Sequence, residues 1–307
     1  VEFYVTVAYD NLKSIGIVSL RFRIPGSGKT GMMENNKYLR LFPLLCFVFV
    51  FPILSLCSAG SAATLYERSL EKFQAKAEKA SSKEFVFVVL GDSRDNDKIY
   101  KKSLTLAAQF NPLFILHTGD ISNTGSKKEL DHFLSLSENT IPDIPLFVVF
   151  GNHELHDGKK LFEQTIGPLN YVFESAKLNI KTIVLDNAEY SLKPDQLNYL
   201  RSQLLNRRVF TFVAMHIPPK TRRWTWHSFS DGADDLMQTL SAGKVSLSFF
   251  GHIHQCDEDE IKGVKCIVSG GAGAPLNRFF LPGKPVYHII VVKVKDGTVS
   301  YTVENVL

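Results

Sequence analysis

The 307-residue sequence predicts an α/β fold in which two packed sheets carry helices on their outer faces. Three observations lead there. From Glu84 onward, short runs rich in β-branched residues alternate with segments of helical period, as crossover units of a parallel sheet do. After residue 170 strands dominate, interrupted by two helical stretches. Near the end, Asp296-Gly297 separates two apolar runs, a strong hairpin signal.

Taken in order, residues 85–90 read as a buried strand by length and β-branched content. A helix is predicted over 98–110, a strand over 113–117, a helix over 127–136, a strand over 146–150 and a helix over 159–166. Strands follow at 170–174 and 181–185, then a helix over 194–206 with proline in its first turn. Further strands at 209–215 and 246–250 flank a helix at 233–240. The end is strand-rich, at 260–261, 265–269, 287–295 and 298–303. No linker or repeat divides residues 84–307, which read as one domain.

The first 63 residues are of another kind. Residues 41–56 are almost wholly apolar, preceded by Lys37 and Arg40 and followed by the small residues of 58–63. That order is the pattern of a secretory signal peptide, so 32–63 is expected to be a signal peptide or a membrane anchor. The run is shorter than the roughly 20 residues that span a bilayer, which favours the signal peptide. Cys57 offers lipid attachment as a third option. Translation would then start at Met32 or Met33, and 1–31 would be a non-native or mis-annotated leader. The Gly26-Ser27-Gly28-Lys29-Thr30 segment is not a phosphate loop, because Arg23 stands where the first glycine is needed. Residues 64–83 read as an amphipathic helical linker, a stalk or a helix packed on the domain.

Composition limits the function. The net charge is +4. Removing residues 1–63 takes away six basic and three acidic residues and leaves about +1, which argues against nucleic acid as partner. Contact with a membrane is expected through 41–56 alone, and export to the periplasm or the extracellular space follows from the same run. The acidic run Asp257-Glu258-Asp259-Glu260 reads as a solvated strand edge.

The chemistry lies where the strands end. Asp92 follows Gly91, Asp120 follows Gly119, and Asn152-His153-Glu154 follows Gly151. Later strands end in His216 and in Gly251-His252-Ile253-His254. Ligands of open α/β sheets sit at the carboxyl ends of strands. Each pair alone is an ordinary turn; together they bring carboxylates, an amide and imidazoles to one rim. Oxygen and imidazole donors in that mixture suit Zn, Mn or Fe.

These blocks, in this order and spacing, resemble the five motif blocks of the calcineurin-like metallophosphoesterases over about residues 84–307, including the glycine-rich 269–275. The resemblance implies a four-layer sandwich, two mixed β-sheets flanked by helices, with two divalent metal ions at the strand ends. It implies that Asp120 bridges them, that Asn152, His216 and His252 complete one shell, and that Asp92 and His254 belong to the other. The implied reaction is hydrolysis of a phosphomonoester or phosphodiester by a hydroxide held between the metals, with His153 assisting the leaving group and Glu154 orienting it. A small phosphorylated substrate or a phospholipid head group is the expected partner. The alternatives are a nuclease and a non-catalytic member of the same fold.

One position departs from the family pattern. The first block usually reads Asp-x-His, and here the third residue is Arg94. An arginine stays protonated and does not ligate metal. Arg94 is therefore expected to contact substrate or to stand idle, with Asp95 or Asn96 as possible replacement ligands. Three further expectations are open to test. The loop 220–230, with Arg222, Arg223, Trp224, Trp226 and His227, is expected to recognise an anion or to pack. His117, His132, His156, His227, His288 and Tyr100 are taken as structural. Cys256 and Cys266 pair only if a bulge or a loop after His254 brings them together, because a hairpin at Lys262-Gly263 sets Cys266 opposite Asp259.

Overall fold

The computed structural model describes residues 2–10, 15–23, 63–279 and 282–306. The chain forms two compact units, Val1–Ser61 and Ala62–Leu307. In the first, β1 (Glu2–Asp10) pairs antiparallel with β2 (Ile15–Arg23). The apolar run 41–56, Cys57 and the segment 26–30 lie outside the described residues. Among the described residues, no helix is long and apolar enough to cross a membrane.

The second unit opens with α1 (Leu65–Lys79), capped by Thr64, whose hydroxyl accepts from the Glu67 N–H. Of the two readings of the helical segment 64–83, a stalk or a helix packed on the domain, the structure shows the second. Its Phe73 is fully buried, in contact with Phe114, Phe147 and Phe173. Then come β3 (Glu84–Leu90), α2 (Asp97–Gln109), β4 (Ile115–His117), α3 (Lys127–Thr140), β5 (Leu146–Val148) and α4 (Lys159–Thr165). β6 (Tyr171–Ser175) and β7 (Ile180–Val184) precede α5 (Pro194–Leu205), β8 (Phe210–Ala214), α6 (Ala233–Ala242) and β9 (Leu247–Phe250). The chain ends in β10 (Cys256–Ile261), β11 (Val264–Ser269), β12 (His288–Lys295) and β13 (Thr298–Asn305).

One sheet has the order β13-β12-β3-β4-β5, the other β10-β11-β9-β8-β7-β6. In the first, β3, β4 and β5 are parallel and β12 runs against its neighbours. In the second, β7, β8, β9 and β11 are parallel, with antiparallel edges at β6 and β10. Both sheets are therefore mixed, as expected.

Period-two alternation builds three apolar layers. On β3, Phe87 and Val89 face the space between the sheets, whereas Val88 and Leu90 face α2 and α3. The middle layer is aromatic: Phe87 stacks on Phe114 at 4.7 Å, and Phe147 on Phe173 of the opposite sheet at 3.7 Å. The third layer joins β8, β9 and β11 to α5 and α6 through Val213, Phe250, Val268, Leu200 and Leu236. The second unit is thus a four-layer sandwich.

One detail differs from expectation and one agrees with it. β10 begins at Cys256, because the acidic run forms an edge strand on which Asp257 turns inward and is buried. Cys266 does lie opposite Asp259, in a regular ladder with Cys256 opposite Ser269, and both thiols are free.

Candidate metal centre

The parallel strands of the two sheets deliver their carboxyl ends to one rim. Asp92 follows β3, Asp120 follows β4, His216 follows β8, and His252 and His254 follow β9. Four of these residues have left-handed backbones, with φ of 57° at Asp92, 54° at Asp120, 68° at His252 and 50° at His254. Asp and His enter that region more readily than most residues, yet each such turn still costs about 1–2 kcal/mol. Strain concentrated at one rim marks a site that the rest of the fold holds in place.

A glycine before Asp92, Asp120 and His252 makes room. A Cβ on Gly119, whose φ is +103°, would stand 2.6 Å from His216 Nδ1, and one on Gly251 would stand 2.6 Å from Asp92 Oδ2.

Asp92 and Asp120 are buried, as are His216 and His252. His216 Nδ1 donates to the Thr118 carbonyl at 2.7 Å, which turns Nε2 to Asn152 Oδ1 at 3.0 Å and Asp120 Oδ1 at 3.2 Å. His254 Nδ1 donates to the Pro275 carbonyl at 2.8 Å, leaving Nε2 3.4 Å from Asp92 Oδ1. Asp92 also accepts from the His252 N–H at 3.0 and 3.1 Å. Fixing an imidazole through one nitrogen so that the other faces the site is what metal ligands require.

The charges point the same way. Burial works against ionisation of Asp120, but His216, His153 and His252 outweigh it and hold its carboxyl below the usual range. Burial opposes the His216 charge too, yet Asp120 lifts it to about 9. Burial, reinforced by His216, pushes His252 well below its ordinary value. At Asp120, then, a buried carboxylate keeps its charge with imidazole as the compensating partner. Asp120 Oδ2 is buried with no hydrogen-bond partner.

Donor atoms of Asp120, His216 and His252 lie within 4.8 Å of one another, as do those of Asp92, Asp120 and His254. Asp120 belongs to both groups. These residues fit a divalent cation, which would take the place of the imidazole protons: carboxylate oxygen and imidazole nitrogen converge, and an orphaned carboxylate oxygen lies among them.

Glu154 does not orient His153. It is fully buried, and Ser122 N and Oγ donate to its Oε1 at 3.0 and 2.8 Å, while Gly151 N and Asp120 N donate to its Oε2 at 2.9 and 3.2 Å. These bonds point the carboxyl into the protein, where it ties the loop after β4 to the loop after β5. Burial and the Asp120 carboxylate push it up to about 7, against the pull of Ser122. The His153 imidazole is held instead by the Asn123 carbonyl, 3.0 Å from Nδ1.

Asp95 and Asn96, the possible replacement ligands, both have other partners. Asp95 is engaged by Arg94 and Asn123, at 2.6 and 2.5 Å, and Asn96 caps α2 by accepting from the Ile99 N–H. In the loop 220–230, Arg223 and Trp224 are structural: both donate to buried Asp257, Trp224 Nε1 at 2.9 Å. His227, taken as structural, comes 5.6 Å ring to ring from His252. Tyr190, which no motif marks, places its hydroxyl 2.8 Å from His252 Nε2. His117 and His288 are buried and lowered by that burial to about 3 and about 4, as expected of structural imidazoles. Beside the cluster, between α2 and α3, opens a cavity of about 740 Å³ lined by Arg94, Asn123, Tyr100 and Phe133 among others.

The family model of the calcineurin-like phosphoesterases matches residues 85–256. A protein of Vesicomyosocius okutanii subsp. Calyptogena okutanii, described as a probable cyclic nucleotide phosphodiesterase, is 27% identical over 179 residues, covering 54% of this chain and 73% of that one. Among solved structures, the anchor in the inner membrane complex of Plasmodium superposes with a TM-score of 0.57 at 17% identity, covering 73% of this chain and 85% of that one. A dimetal phosphatase from Danio rerio superposes at 0.54 and 12% identity, covering 73% and 99%. These structural likenesses bear on the fold; the family match, which spans every block from Asp92 to His254, bears on the chemistry. The chain belongs to the calcineurin-like phosphoesterases, metal-binding hydrolases that act on phosphoester bonds.

Proposed function

We propose that this enzyme hydrolyses a phosphate ester of a small molecule or of a phospholipid head group, with two divalent cations of the Mn, Fe or Zn kind held about Asp120. The observation that carries the reading is that two clusters of three donors share that one buried carboxylate. Asp92 and His254 would hold one cation; Asn152, His216 and His252 would hold the other. When bound, such a pair polarises phosphoryl oxygens and makes water acidic enough to attack near neutral pH.

The chain's own groups do the rest. The Thr118 and Pro275 carbonyls keep His216 and His254 aimed at the cluster. His153, whose Nδ1–H donates to the Asn123 carbonyl, has its Nε2 3.9 Å from Asp120 Oδ2 and free to deliver a proton to the leaving oxygen. The description of the curated relative makes a phosphodiester the first substrate to try.

The test is turnover of an aryl phosphate and a bis-aryl phosphate with added Mn, for the wild type and Asp120→Asn. We expect Mn-dependent release of the aryl alcohol by the wild type. In Asp120→Asn, Mn binding and turnover should be lost together, with an unchanged far-ultraviolet spectrum. Equal turnover in the two proteins would remove Asp120 from the centre of the mechanism.

A further inference from the structure

Arg94 stands where the family pattern places a histidine ligand, and its surroundings are unlike those of a surface arginine. Its side chain is 15% exposed. Nη1 donates to Asp95 Oδ2 at 2.6 Å and to Asn123 Oδ1 at 3.0 Å. Asn123 Nδ2 in turn donates to Asp95 Oδ1, closing a network of three side chains that fixes the guanidinium plane. Nε is left buried with no hydrogen-bond partner, 3.9 Å from Asp120 Oδ2, which is orphaned as well. That separation is too long for a hydrogen bond. Two buried, opposite and unsatisfied atoms therefore face each other across a gap, and a buried polar atom without a partner is costly enough to need a reason.

The same Asn123 holds His153 through its backbone carbonyl, and His153 Nε2 is also 3.9 Å from Asp120 Oδ2. One residue thus positions two groups around one carboxylate oxygen. They differ in kind. The imidazole, which already donates through Nδ1, presents a proton at Nε2 only when protonated; the guanidinium donates at every pH of interest. The cavity beside α2 and α3 reaches Arg94, so a ligand can approach it from solvent.

We propose that Arg94 is a phosphate-contacting catalytic residue, whose guanidinium donates to a phosphoryl oxygen bound at the rim beside Asp120, and that the Asp92–Asp120–His254 cluster accordingly holds its cation through only three protein ligands. The proposal rests on the reading of this rim as a phosphoester site. It divides the labour of the departed ligand: cation affinity is reduced on that side, and a fixed, oriented positive charge takes its place against the substrate.

Calorimetry separates the two readings without relying on turnover. Mn is titrated into the metal-free wild type, Arg94→Ala, Arg94→Lys and Arg94→His, and inorganic phosphate is then titrated into each Mn-loaded protein. We expect Arg94→Ala to bind Mn as the wild type does and phosphate at least about tenfold more weakly, the effect of one lost charge-assisted hydrogen bond. Arg94→Lys should recover part of that loss, since a point charge lacks the planar fork. Arg94→His should tighten the weaker Mn site by restoring an imidazole. Phosphate affinity unchanged in Arg94→Ala would overturn the proposal while leaving the hydrolytic reading intact. So would a loss of Mn affinity in Arg94→Ala equal to the loss of phosphate affinity, because Arg94 would then be organising the cation site. A wild type that binds Mn but neither binds phosphate nor cleaves either aryl ester would overturn both.

Discussion

An imidazole tethered at one nitrogen can move a proton only through the other. His153 is tethered at Nδ1 by the Asn123 carbonyl, so its Nε2 is the working atom. It lies outside both three-donor clusters. His153→Ala should therefore leave Mn binding near the wild-type value while slowing turnover by about 10²–10⁴-fold, the usual contribution of general acid–base help. A loss of bound Mn in that variant would make His153 a ligand instead. Neighbouring Glu154 behaves otherwise. Its four acceptor contacts are to groups of the β4 and β5 loops, so it supports the geometry of Asp120 and Asn152 rather than the proton of His153. Sequence reading could mark Glu154 as part of the block, but the direction of its side chain is set by where Ser122 and Gly151 bring their donors, and only the fold fixes that. Tyr190 and Asn123 carried no signal of their own for the same reason: each acts through contacts with residues 62 and 30 positions away.

The loop between β4 and α3 is the element on which the proposed chemistry hangs, because it carries Asp120, Ser122 and Asn123. Its far end is gathered by one carboxylate at the start of α3. Glu129 accepts from Thr124 N and Oγ1 at 3.1 and 2.7 Å, from Ser126 N and Oγ at 3.2 and 2.8 Å, and from Asn123 N at 3.3 Å. Partial burial raises the cost of its charge, but the Thr124 and Ser126 donors outweigh that and bring it down to about 2. A carboxyl held below its unfolded value, about 4.5, stabilises the fold fully above that value. The contribution shrinks as the pH falls toward 2. Glu129→Gln should accordingly cost about 1 kcal/mol at pH 7, the range of a lost helix cap. In urea unfolding the gap between variant and wild type should narrow steadily from pH 5 to pH 2.5. A gap that is constant over that window would assign the loss to packing. The element boundaries themselves were largely legible. The hydrophobic period located each helix and strand of the second unit to within a few residues, and the main exception was β10, where the acidic run was read as a strand edge but the burial of one of its aspartates was not. Strand ends were legible too, because glycine followed by a carboxylate, amide or imidazole recurs there for steric and chemical reasons at once.

At the scale of the whole molecule, the sequence shows which segments are apolar but not which layer each one joins. The alternation on β3 splits its side chains between two layers, and the five- and six-stranded sheets then close on a shared aromatic core. What the pattern left open was the end of that core. An amphipathic helix at 64–83 serves equally as stalk or as cover, since both need one apolar face. The structure resolves the choice by contact: Phe73 meets Phe114 and Phe147 from one sheet and Phe173 from the other, at 5.8, 6.0 and 5.2 Å between centroids. Nearby, the Tyr66 N–H donates to the Ile166 carbonyl at 2.8 Å, and the Tyr66 ring lies 4.8 Å from Tyr171. A helix so placed closes the gap between the sheets and is a fixed part of the core. Phe73→Ala should then cost about 3–5 kcal/mol in denaturant unfolding, the range for removing a fully buried phenyl ring. Gln74→Ala, one residue away on the exposed side, should shift the midpoint little. Were α1 only a tether, both variants would unfold at the wild-type midpoint. The slope of the transition adds a check: if α1 detaches while the sandwich stays folded, the slope falls with the smaller area exposed, whereas a single cooperative unit keeps its slope and moves only its midpoint.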